Sequence, residues 1–182
     1  MVSLTKRFLI IGSFLTIALS MSFAFPAIVH ASPGSSNTFG VGIEVEGADP
    51  LNVPGSNGDM YYGGGVDLQY WFTKDVGVRV GMDYLNESKT SNVLPNSILP
   101  FYSGLLVNLF STSYVSLDLE GDFGQALLSG VANTYFDAGM MLNAPLSSAR
   151  QFFLDVRYRE VGVGTMAQPW EFVTAGVGVN FF

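Results

Sequence analysis

Cysteine is absent from all 182 residues. That excludes a disulfide framework, a thiol nucleophile and a cysteine for lipid anchoring. Histidine occurs once, at His30. Charge is sparse and unbalanced: 8 basic residues stand against 15 acidic ones. An acidic excess argues against nucleic-acid binding. Long apolar runs are missing too, except near the start, from Phe8 to Phe25. Beyond it no stretch approaches the roughly 20 apolar residues of a membrane helix.

The leading run reads as a secretory signal. Lys6 and Arg7 precede it, Pro26 ends it, and Val29-His30-Ala31 forms a small-x-small cleavage site. The expected organisation is a signal peptide over 1–31, a short periplasmic lead over 32–37 and one domain over 38–182. Cleavage leaves 151 of the 182 residues, with 6 basic against 15 acidic groups, a net charge of −9 and no histidine. An exported chain this apolar, without a spanning helix, points toward a barrel.

What is present is alternation. The final stretch places Val173, Ala175, Val177, Val179 and Phe181 on one parity and Thr174, Gly176, Gly178 and Asn180 on the other. A period of two is a strand with one apolar face. The same pattern recurs over 38–46, 61–72, 76–85, 99–110, 114–124, 134–143 and 151–159. The apolar parity of these segments carries no charge. The opposite parity holds Glu44, Asp67, Arg79, Asp83, Asp118, Glu120, Asp122, Asp137, Asp155, Arg157 and Arg159, with most strand glycines. A small barrel has little interior volume, so a face of glycines and charges belongs inside. The apolar face then covers the outside, where lipid accepts it and water would not.

Connections alternate in length. Residues 73–75, 111–113 and 145–150 make short turns; 48–60, 86–98, 125–133 and 160–169 make longer loops, the third exposing Leu127 and Leu128. Outward aromatic residues sort into two belts. Tyr62, Tyr84, Phe101, Phe123, Phe136 and Tyr158 fall near the loops, and Phe39, Tyr70, Phe72, Phe152 and Phe181 near the turns. Such girdles mark the two membrane interfaces.

The chain resembles the small eight-stranded outer-membrane barrels of the OmpA/OmpX type, with their opacity-like and porin-annotated relatives. The resemblance covers residues 38–182 and implies an all-β, eight-stranded antiparallel up-and-down transmembrane β-barrel in the outer membrane, both termini periplasmic. It implies a monomer in contact with outer-membrane lipid and lipopolysaccharide, assembled by periplasmic chaperones and the barrel-assembly machinery. The ending Gly176 to Phe182 is similar to the family's assembly signal, carried here by Val177, Val179, Phe181 and Phe182. One departure stands out: Phe181, not the terminal Phe182, shares the apolar parity.

The inward parity supplies the candidate site. Asp67, Gln69, Arg79, Asp118, Glu120, Asp137, Asp155, Arg157 and Arg159 are expected to form a lumen network, because buried charges need partners. Tight turns suggest that Gln69 faces Arg79, with Asp67 diagonal to it, and that Asp137 faces Arg159. Glu46 and Asp122 are expected at the rim. An eight-stranded barrel is just wide enough to be filled by side chains, so a structural, envelope-maintaining barrel is the expected function. A narrow cation-favouring porin is the alternative, since carboxylate rings select cations; surface binding through the loops is a third. No catalytic residue, metal site or cofactor is expected. The mature chain lacks a histidine base, and Asp118, Glu120 and Asp122 alternate on one strand as interior or rim groups do. Asp49, Asn57, Gly58 and Asp59 lack calcium-loop spacing, and Gly63-Gly64-Gly65 is not a phosphate loop.

Overall fold

The computed structural model describes residues 37–53, 59–88, 96–128, 130–164 and 166–182. The expected signal peptide, residues 1–31, lies outside the described residues, as does most of the 32–37 lead. Eight strands follow in order: β1 Thr38–Pro50, β2 Tyr61–Trp71, β3 Val76–Glu87, β4 Ser97–Ser111, β5 Ser116–Leu128, β6 Val131–Ser147, β7 Arg150–Val161 and β8 Trp170–Phe181. Each pairs antiparallel with its neighbours, and β8 pairs with β1, which closes the barrel.

The stagger follows from the pairing. One ladder row runs Gly40, Gln69, Arg79, Gly104, Asp122, Asp137, Arg159, Phe172 and returns to β1 at Pro50, ten residues above Gly40. With eight strands this shear tilts them by about 40°. Side chains in one row therefore sit at different heights.

The outer surface carries the expected apolar parity. Phe39, Ile43, Val66, Val80, Met82, Leu105, Phe123 and Met140 are all exposed. Both aromatic belts fall on this surface. Two bulges adjust its lower edge. Around Leu109 the β4–β5 register slips, so Leu109 and Phe110 both face outward; a second slip falls between Pro145 and Ser147. An extra residue in one strand shifts side-chain parity locally.

Several strands outrun their expected limits. The largest correction concerns the third long loop. β5 continues to Leu128 and β6 begins at Val131, so two residues replace the expected loop over 125–133. Gly130 takes a φ of +86°, a left-handed turn conformation that glycine adopts without a Cβ clash. Leu128 is buried inside the barrel rather than exposed on a loop. Pro100 also lies within β4, and the β3–β4 pairing is interrupted at Asp83 and Tyr84, opposite Pro100 and Leu99, since proline offers no N–H.

Candidate functional site: a charged lumen between two apolar tiers

All nine expected network residues point inward and are buried. The pairing places Gln69 opposite Arg79 and Asp137 opposite Arg159. The ion pairs, however, run past these immediate neighbours. Arg79 reaches across β4 to β5, where Nη1 meets Glu120 Oε2 at 2.6 Å and Nε donates to Asp122 Oδ1 at 3.0 Å. It makes no ion pair with Asp67, its diagonal neighbour.

Glycine makes that reach possible. Gly104 separates Arg79 from Asp122 in the ladder row, and a Cβ there would collide with the Asp122 carboxylate. The arrangement repeats. Gly139 lies between Glu120 and Arg157, Gly65 between Glu44 and Asp83, and Gly176 between Asp155 and Glu46. Each glycine leaves the width of one strand for long side chains to cross.

Arg157 and Arg159 occupy the middle of the lumen. Arg157 Nη2 meets Glu44 Oε1 at 2.5 Å and Glu46 Oε2 at 3.0 Å, and its Nε meets Asp155 Oδ2 at 2.6 Å. Arg159 holds Glu46 Oε1 at 2.9 Å, Asp83 Oδ2 at 2.6 Å and Asp137 Oδ2 at 3.5 Å. Glu46 and Asp122, expected at the rim, are instead buried members of this network. The strong tilt is the reason: it brings Glu46 level with side chains that enter from β7. The carboxylate oxygens of Glu44, Glu46 and Asp83 converge within 4.8 Å of one another, as metal ligands would. Here the two guanidinium groups bridge them.

Asp118 is handled without an arginine. Asn108 and Asn143 donate to its two oxygens at 2.5 and 2.8 Å. Nearby, Gln69 donates to Asn180 Oδ1 at 3.1 Å. This amide-rich layer lies toward the short-turn end, among buried Trp71, Leu106, Met141 and Phe153. Phe182 closes that end: its ring covers Gly40, where a Cβ would lie 2.8 Å from it. Phe181 faces outward with Arg150 over its ring, while Val177 and Val179 share its face.

The loop end holds what the sequence reading missed. Ala48, Val53, Tyr61, Leu85, Ile98, Tyr102, Ala126, Leu128, Tyr135, Val161 and Phe172 form one buried apolar cluster inside the barrel, with Met166 and Trp170 packed on it. Tyrosines join it to the charged layer. Tyr102 donates to Asp83 Oδ1 at 3.1 Å, and Tyr135 donates to Asp137. Arg79 lies 5.2 Å from the Tyr102 ring centre and Arg159 6.0 Å from that of Tyr135, within cation–π range. The signal was in the sequence: Tyr61, Leu85, Ile98, Tyr135 and Phe172 all have inward parity.

Neither a family model nor a curated protein sequence matches this chain. Solved structures do. Neisserial surface protein A superposes with a TM-score of 0.59 at 14% identity, over 79% of this chain and 96% of that one. OprG from Pseudomonas aeruginosa gives 0.58 at 11% identity, over 84% and 98%. Ail, the attachment invasion locus protein of Yersinia pestis, gives 0.50 at 17% identity, over 80% and 98%. The fold is that of the small outer-membrane β-barrels. At such identities the neighbours share the barrel with this chain, and its lumen must be read from its own residues.

Proposed function

We propose that this chain is a structural barrel of the outer membrane, with both termini on the periplasmic side and a lumen packed for rigidity rather than passage. The observation that carries this reading is the apolar tier across the loop end of the lumen. Tyr61, Tyr102, Tyr135 and Phe172 fill the cross-section above the charges, and each is at most 6% exposed. An apolar constriction opposes ion passage by dewetting, so this tier weighs against the porin reading. The acidic surplus beneath it is enclosed.

Planar-bilayer recording tests the proposal. The intact protein should give no steps of single-channel current. Replacing Tyr61 and Phe172 with alanine should remove part of the tier and raise conductance above that silent baseline. Reproducible cation-selective steps from the unaltered protein would overturn the reading.

A further inference from the structure

The loop end of the barrel carries a cover that no strand supplies. β1 ends at Pro50 and β2 begins at Tyr61. Past β1 the chain turns inward, and Val53 joins the apolar tier with only 4% of its surface exposed. Met166 packs on the same tier from the connection between β7 and β8. Its N–H donates to Gly162 O at 2.9 Å, and the Gly162 N–H donates to Thr134 O at 2.7 Å. That side of the cover is held by backbone bonds.

Residues 51–53 are held differently. Pro50 stands opposite Phe172 and has no N–H to donate. The Leu51 N–H donates to Glu171 O at 2.8 Å. Asn52 then supplies with its side chain what a continued strand would supply with its backbone. Its Oδ1 accepts from the Glu171 N–H at 2.8 Å, and its Nδ2 donates to Pro169 O at 3.2 Å. A side-chain amide accepts and donates at once, which a carboxylate or an alkyl group cannot do. The Glu171 N–H is thus satisfied without a ladder partner, and the backbone is free to leave the sheet after Leu51. That departure brings Val53 onto the tier.

We infer that residues 51–53 form a strap across the loop end of the lumen, with Asn52 as the clasp that fastens it to the entry of β8. The strap lies outside β1 and β2, so it lifts without breaking either strand. Local opening is easiest where few buried contacts and backbone bonds must be broken. Lifting uncovers the tier to water from the loop side. The charged layer stays beneath Tyr102 and Tyr135, which donate to Asp83 and Asp137. Strap opening and ion passage are therefore separate events, and bilayer recording and strap accessibility fail separately.

Thiol accessibility tests the strap, because the chain has no cysteine of its own. Val53→Cys places a reporter on the strap. Val131→Cys, at a position 64% exposed at the same end, sets the rate for an open site. The full chain, refolded from urea into detergent micelles, is reacted with a water-soluble maleimide, and heat-modifiable gel migration shows that each variant is folded. With Asn52 in place, the cysteine at 53 should react far more slowly than the one at 131. Asn52→Ala should raise the rate at 53 by about tenfold, as expected for the loss of two hydrogen bonds, and leave the rate at 131 unchanged. Asn52→Ser, which keeps a shorter polar group, should fall between them and serves as the second variant if Asn52→Ala does not fold. Equal rates at 53 with and without Asn52 would overturn the inference. So would a cysteine at 53 that reacts as fast as the one at 131 while Asn52 is present.

Discussion

At the residue scale, the lumen depends on where side chains are missing. Gly104 gives Arg79 its route to Asp122, whereas an added Cβ at Gly121, one strand over and outward-facing, meets nothing within 4 Å. A Cβ at Gly104 would also meet the Gly121 carbonyl oxygen, so a larger residue there disturbs the β4–β5 ladder as well as the ion pair. Gly104→Val should cost about 3–5 kcal/mol, the range for a buried ion pair that loses a partner. Gly121→Val should stay within about 0.5 kcal/mol. Urea unfolding in lipid vesicles, followed by heat-modifiable gel migration, measures both; equal losses would show that the route past Gly104 carries no energy. That glycine belongs beside long inward side chains was legible from parity. Which acid each arginine chooses was not, because the partner lies two strands away, across the intervening glycine.

At the element scale, the strands are longer than the charge-free segments that announced them. The β5–β6 connection shows why. Gln125 and Asn133 looked like loop residues, yet the alternation continues: Ala126 and Leu128 face in, and Gln125 faces out. A strand emerging from the membrane no longer needs an apolar outer face, so outward hydrophobicity stops before the strand does. This tight hairpin also gives a test of sidedness. An epitope inserted after Gly130 should react with antibody on intact cells. The same epitope in the Lys74-Asp75 turn should react only after the outer membrane is permeabilised. The reverse pattern would invert the proposed orientation.

At the scale of the whole molecule, the barrel is an inside-out arrangement of charge. Ten of the chain's 15 acids lie in its interior, and the apolar belt covers its outside. Lipid is the solvent that makes this stable, and the cost of an outward charge should depend on depth. Val80→Arg, in the middle of the belt, should destabilise the barrel by about 2–4 kcal/mol, and Tyr84→Arg, near the loop-end girdle, by about 0–1 kcal/mol. Urea titration in vesicles of defined thickness reads the difference. Equal costs at the two positions would mean that the belt is not the membrane-spanning band.

The sequence by itself determined the strand count, the two faces, the direction of the alternation and the side of the wall that the nine network residues take. These follow from a period of two, which is local and survives without any knowledge of partners. Only the tertiary structure decided the ion pairs, the assembly of the apolar tier and the packing of the Phe182 ring over Gly40. Those depend on the ten-residue stagger, which sets the heights of residues from different strands. Parity states which side of the wall a residue occupies, and shear states whom it meets there. Arg79 beside Gln69 in the ladder, yet bonded to Asp122 beyond Gly104, is where the two kinds of information part.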